Sequence, residues 1–199
     1  MLYIGSVLLL LLSTVRLITG VGNLTSAGTV AAALALAVPI GMAGLGGLWS
    51  ERAGVVNIGL EGMMILGTFG AGWAGYQWGP WVGMLCGVAF GALGGVLHAI
   101  ATVTFAVDQI VSGVAINILA VGLTQFLAAE LFTGVPNAGA TQSPPIPPIG
   151  SLTLPLISTW SLELSEKDWF FVSDLAGVIA GLTTDVSYLT IIAIAMLFL

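Results

Sequence analysis

Charge is what this sequence lacks most. Among 199 residues there are three Lys/Arg and nine Asp/Glu, so only 6% of the chain is charged while 58% is hydrophobic. A soluble domain carries roughly 25% charged residues. Twelve charges cannot cover the surface of a water-soluble fold of this size, whereas a chain dissolved in lipid must be poor in charge because each ion at bilayer depth is costly. Cysteine is nearly absent as well. Cys86 is single and lies in an apolar run, which excludes a disulfide framework and a cysteine-based metal site. One histidine, His98, excludes an HExxH zinc site. The one lysine, Lys167, follows Ser165-Glu166 with no glycine-rich loop before it, so ATP hydrolysis of the P-loop type is excluded and no enzyme activity is expected. No basic surface exists for nucleic acid, and no cofactor is implied.

What remains is a set of long apolar runs. A membrane helix needs about 20 mainly apolar residues to cross about 30 Å. Such runs fall at Leu2–Ile18, Ala27–Trp49, Ile58–Trp78, Pro80–Phe105 and Ile110–Phe132. A sixth begins at Val186 and has 14 residues to Leu199, too few to cross, so it reads as truncated and the natural subunit is expected to continue. The first run lacks a basic start and a small-x-small cleavage site and reads as a retained span, with Arg16 snorkelling to the interface. The fold expected is therefore all-α, a polytopic transmembrane bundle of about six spans, organised as a five-span bundle over residues 1–133, an external loop over 134–185 and a partial span over 186–199.

The loop changes character along its length. Gln142-Ser143-Pro144-Pro145-Ile146-Pro147-Pro148 favours extended polyproline geometry and forbids a helix. Five acids (Glu163, Glu166, Asp168, Asp174 and Asp185) then face a single base, Lys167. Trp160, Trp169, Phe170 and Phe171 suit the headgroup level, and Trp160–Ile179 is expected to form a short interfacial helix.

Glycine and a few amides carry the finer signals. Gly83, Gly87, Gly91 and Gly95 recur every four residues, which lays one smooth helix-packing stripe along the fourth span. Gly70-Ala71-Gly72-Trp73-Ala74-Gly75 fits GxGxxG, but no strand precedes it and the match is rejected. Asn57 and Glu61 are spaced i, i+4 and share one helical face, next to Gly54, Gly59 and Gly62, which permit a broken backbone. Asn117 lies mid-span. Asn57, Glu61 and Asn117 are thus candidates for the substrate path, against the alternative that they only bond helices together. Asp108 is placed to cap the fifth span, with Ser112 just inside it. His98 is read first as a bundle-bonded or interfacial histidine.

Two strings carry a family resemblance. Ala43-Gly44-Leu45-Gly46-Gly47-Leu48 is followed by Ser50-Glu51-Arg52-Ala53-Gly54-Val55-Val56-Asn57-Ile58-Gly59-Leu60-Glu61-Gly62-Met63-Met64. Further on come His98-Ala99 and Asp108-Gln109-Ile110-Val111-Ser112-Gly113-Val114-Ala115-Ile116-Asn117-Ile118-Leu119-Ala120. Over about Ala35 to Thr124 the chain resembles the inner-membrane permeases of binding-protein-dependent ABC importers. It is nearest the branch for simple sugars and nucleosides, within the group that also serves ribose and branched-chain amino acids. The resemblance implies a multi-pass protein of the bacterial plasma or inner membrane that forms a translocation path for a nucleoside or simple sugar. It implies ABC ATPase subunits, a second permease subunit and an extracytoplasmic solute-binding protein as partners, besides membrane lipid. It places the N-terminus inside, although the positive-inside count over Arg16, Arg52 and Lys167 slightly favours the reverse. The basic helix that docks the ATPase in such permeases would follow the sixth span. Two other classes stay open on the residues alone: a proton-coupled secondary carrier using Glu61, His98 or Asp108, and a non-transporting scaffold subunit.

Overall fold

The computed structural model describes residues 2–167 and 169–198. Asp168, one of the loop acids, and Leu199, the end of the sixth apolar run, lie outside the described residues. The chain is mainly helical, as its composition requires, because in lipid each backbone N–H and C=O must be paired within its own segment. It divides into two compact units, residues 42–149 and residues 1–41 with 150–199.

The unit built from residues 1–41 and 150–199 begins with α1 (Leu2–Thr19). A short 3-10 turn, Asn23–Thr25, leads into α2 (Ala27–Arg52), whose second half belongs to the other unit. Pro39 is accommodated inside α2. In the other unit follow α3 (Leu60–Trp78), α4 (Pro80–Ala99) and α5 (Gln109–Leu131). The chain then returns to the first unit with a two-residue strand β1 (Ser151–Leu152), α6 (Pro155–Ser165), α7 (Val172–Thr183), β2 (Val186–Ser187) and α8 (Tyr188–Met196). β1 and β2 pair antiparallel, Ser151 with Ser187 and Leu152 with Val186.

Three of the described helices are long and apolar enough to cross a membrane: Ala27–Arg52, Pro80–Thr104 and Gln109–Leu131. The third expected run forms α3 with the predicted C-terminal end, but five glycines with Glu61 and Gln77 dilute its apolar character. The loop segment expected to hold one interfacial helix holds two. α6 and α7 are joined by Ser173, whose hydroxyl donates to Leu164 O at 2.9 Å and Ser165 O at 2.6 Å. Small buried side chains, Ser158, Ser161 and Ala176, let them approach. The Pro-rich run stays free of helix, as expected.

Within residues 42–149, α3 lies between α4 and α5. Glycine sets the spacing to α4. A Cβ on Gly83 would come within 2.7 Å of Gly75 Cα, and one on Gly87 within 3.1 Å of Gly67 O. Gly91 faces Met63 O at 3.4 Å. The stripe then passes to Gly94, which meets Met63 and Leu66, while nothing lies within 4 Å of the Cβ position of Gly95. The reason is the helical period: a strict step of four overshoots 3.6 residues per turn, so by the third repeat the contact line has shifted back one residue.

After α4 the helix widens. Ile100–Thr104 makes one π turn, closed by Phe105 N donating to Ile100 O at 3.2 Å. Ala106 then adopts φ +52°, a left-handed value that turns the chain into α5. Asp108 caps α5 as its sequence position predicts. Its Oδ1 accepts from Ile110 N at 2.9 Å and Val111 N at 3.1 Å.

Arg16 departs from the snorkelling expectation. Its guanidinium donates to Asp174 Oδ1 at 3.0 Å, and Asp174 is only 1% exposed. Thr25 Oγ1 donates to the same oxygen. The cluster ties α1 and the 3-10 turn to α7, where Gly177 meets Thr25 O and Gly181 meets Ala27 O. Burial raises the Asp174 pKa, but the hydroxyls of Thr25 and Ser13 and the Arg16 guanidinium outweigh it, and the carboxyl is held below its ordinary range.

Candidate functional site

The break between α2 and α3 is built by local chemistry. Gly54 takes φ +79°, which ends α2, and Val55 N returns to Ser50 O at 2.9 Å. Residues 55–57 then run without helix and 58–59 make a turn before α3, so Asn57 does not share a helical face with Glu61 as its spacing suggests: the positive φ of Gly54 ends the helix before it. Free N–H groups at a helix start must be satisfied, above all away from water. Here side chains do it. Asn57 Oδ1 accepts from Gly59 N at 3.0 Å, and Asn117 Oδ1, from α5, accepts from Gly62 N at 2.7 Å. Asn117 Nδ2 donates in turn to Ile58 O at 3.1 Å, and Gln109 Oε1 accepts from Val56 N at 2.7 Å.

Glycine makes this reach possible. A Cβ on Gly62 would sit 2.7 Å from Ile116 O, and one on Gly113 would sit 2.8 Å from Gly59 N. The structure therefore brings Asn57 and Asn117 to one joint, where both bond backbone. Glu61 lies in the first turn of α3 beside them and is exposed. A carboxylate there suits the positive end of the helix dipole.

His98 sits elsewhere in the unit, at the last turn of α4. It is 3% exposed, and its Nδ1 lies 3.0 Å from Ser112 Oγ in the first turn of α5. This is the bundle-bonded histidine that the sequence suggests. Among the described residues, no group of three or more His, Cys, Asp or Glu is placed to hold a metal ion.

A cavity of about 420 Å³ opens between α3, α5 and residues 140–143. Its apolar wall comes from Ile65 and Phe69 of α3 and from Val121, Ala128 and Phe132 at α5. The Phe69 and Phe132 rings touch, with centroids 6.2 Å apart and planes tilted by 39°. Thr68, Thr124 and Gln125 interrupt that wall, and Thr141, Gln142 and Ser143 close it from the loop. Sequence reasoning did not single out these polar residues. The available signal was uncharged polar side chains recurring within α3 and α5, which is visible only once the two helices are known to be neighbours.

A broken span start and a polar-lined cavity in an apolar helical bundle are features shared by membrane transporters. Residues 29–199 match the family described as the permease component of the branched-chain amino acid transport system, and the chain belongs to that family. It is similar to the guanosine ABC transporter permease protein NupQ of Bacillus subtilis, with 38% identity over 178 residues that cover 85% of this chain and 49% of that protein. It is similar also to the nucleoside ABC transporter permease protein NupC of Lactococcus lactis, with 35% identity over 159 residues that cover 76% and 47%. The chain thus spans about half the length of the curated relatives it matches. No solved structure matches it. The protein is a multi-pass membrane protein of the ABC permease type.

Proposed function

We propose that this chain forms the translocation path of an ABC-type importer for nucleosides or simple sugars. The observation that carries the reading is its similarity, over 85% and 76% of its length, to two permeases described as guanosine and nucleoside transporters. ATP hydrolysis belongs to separate ATPase subunits. A second permease subunit completes the pore, and an extracytoplasmic binding protein delivers the solute. Glu61 lies on the solute path, and Asn57 and Asn117 hold the backbone that presents it. Support for that assignment is the break at α2–α3, where four backbone groups, Val56 N, Gly59 N, Gly62 N and Ile58 O, are satisfied by side chains rather than by a continuous helix.

The test uses the full-length subunit co-expressed with the ATPases encoded beside it. The expected result is co-purification and faster ATP hydrolysis when nucleoside-loaded binding protein is added. Association without nucleoside stimulation, but with sugar stimulation, selects the sugar arm. If no ATPase associates and uptake follows a pH gradient instead, the importer reading is lost to a proton-coupled carrier.

A further inference from the structure

We infer that the cavity between α3, α5 and residues 140–143 is a nucleoside site, in which the base lies on the Phe69 ring, backed by Phe132, and its polar edge meets Gln125 and the loop. The inference rests on the importer reading above and narrows its solute from nucleoside or sugar to nucleoside.

Size admits the ligand: about 420 Å³ falls within the range of small-molecule sites. The distribution of polarity selects it. A monosaccharide can lay one apolar C–H face on an aromatic ring, but it carries hydroxyls around its whole rim, and each needs a partner. Ile65, Val121 and Ala128 beside the rings offer none, so a sugar seated here would leave rim hydroxyls facing hydrocarbon, which is unfavourable. A nucleobase has two apolar faces and one polar edge. Its face suits an aromatic wall, because stacking on Phe needs no hydrogen bond. The Phe132 ring is buried behind Phe69, 4% exposed and 6.2 Å away, so the base lies over Phe69 and not between the two rings.

The polar groups match the remainder of a nucleoside. Thr68 Oγ1 donates to Ile65 O at 2.8 Å and Thr124 Oγ1 to Ala120 O at 2.7 Å. Their hydrogens are committed, so each hydroxyl offers the cavity only an acceptor. The amides of Gln125 and Gln142 supply donors and acceptors together, as does the hydroxyl of Thr141, and a base edge with ribose hydroxyls requires both kinds. Gly72 brings the loop close, since a Cβ there would lie 2.8 Å from Ser143 Cβ.

The experiment uses the full-length permease assembled with its ATPases in lipid nanodiscs, after stimulation of ATP hydrolysis by loaded binding protein has been verified. Cys86, the one cysteine among these 199 residues, is replaced (Cys86→Ala) together with any cysteine elsewhere in the full-length subunit, and Gln142→Cys is introduced, with Thr141→Cys as the alternative should that variant not assemble. The rate of maleimide labelling is measured with inosine, ribose or hypoxanthine present. Inosine at ten times its Kd slows labelling about ten-fold, as occupancy requires, hypoxanthine slows it less, and ribose at the same concentration leaves it unchanged. Gln125→Leu weakens inosine binding roughly 3- to 10-fold, the effect of one lost hydrogen bond. Unchanged labelling in a complex whose ATP hydrolysis still responds to nucleoside overturns this site and leaves the importer reading intact. Protection by ribose equal to that by inosine overturns the nucleoside assignment. A complex that never responds to any loaded binding protein removes the importer reading itself, and this inference with it.

Discussion

The two units of the chain solve the same packing problem with different emphasis. In residues 42–149, helices meet through missing side chains. Gly62, Gly67, Gly83 and Gly87 let backbone approach backbone, so the contact is made of dispersion and weak polar contacts spread along the helices. In residues 1–41 and 150–199, α1 and the 3-10 turn are held to α7 by one concentrated ionic knot of Arg16, Thr25 and Asp174. The first arrangement has no single strong bond to lose but tolerates no added volume. The second also brings Gly177 and Gly181 against Thr25 O and Ala27 O, and depends in addition on two charges. The difference shows where an apolar membrane sequence can hold ions: at a small buried cluster in which the base and a hydroxyl meet one carboxylate oxygen.

The comparison breaks most completely at the glycines. Gly62→Leu and Gly83→Leu each drive a side chain into neighbouring backbone, and each is expected to destabilise by about 3 kcal/mol or more. The readout is loss of monodisperse protein after solubilisation in mild detergent. An effect confined to transport, with normal thermal stability, would show that α3 and α4 can separate freely.

The ionic knot comes next. Asp174→Asn leaves Arg16 facing a neutral amide in a buried site, and removing one partner of such a pair costs about 3–5 kcal/mol. The double variant Arg16→Met with Asp174→Leu is expected to recover most of that loss, measured by thermal midpoint. The knot is also acid-sensitive. Because the folded pKa of Asp174 is depressed, its contribution is whole above the ordinary carboxylate pKa and is lost as pH falls below that value through the folded one. A thermal midpoint that falls equally with acid in the wild type and in Asp174→Asn would remove this group as the cause.

Asn117→Ala is expected to have a smaller effect. It strands Gly62 N and Ile58 O, which costs roughly 1–3 kcal/mol in a dry site, and nearer 0.6 kcal/mol if the membrane reference state finds other partners. Hydrogen exchange at Gly62 and Met63 should rise while the rest of α3 stays protected. The least effect is expected at Gly95→Leu, within about 0.5 kcal/mol, since that position has open space around it. Comparing it with Gly94→Leu locates the packing line to one residue.

Local structure was legible where the signal is local. The second to fifth apolar runs become helices within a few residues of their expected ends, and Asp108 caps α5 from its place in the sequence. The family was legible from two strings in order. Contacts across long separations were not. Arg16 and Asp174 are 158 positions apart, and nothing in either neighbourhood marks them as partners. Asn57 and Asn117 were read as candidates for the path, and the structure gives both a bond to backbone at the α3 start. Glutamines and threonines that line the cavity are unremarkable singly. They acquire meaning only when α3, α5 and the loop after α5 meet, which hydropathy does not encode.

The double clasp of Asn117 has a mechanical consequence. One amide grips Gly62 N and Ile58 O on successive turns of chain, while Gly59 and Gly113 interlock beside it. α3 and α5 are thereby clasped at one point: turning either helix against the other must break two hydrogen bonds at once. The segment that feeds α5 is built of other backbone, the wide turn at Ile100–Thr104 and the left-handed Ala106, so the chain enters the clasped pair through a stretch that is not regular α-helix.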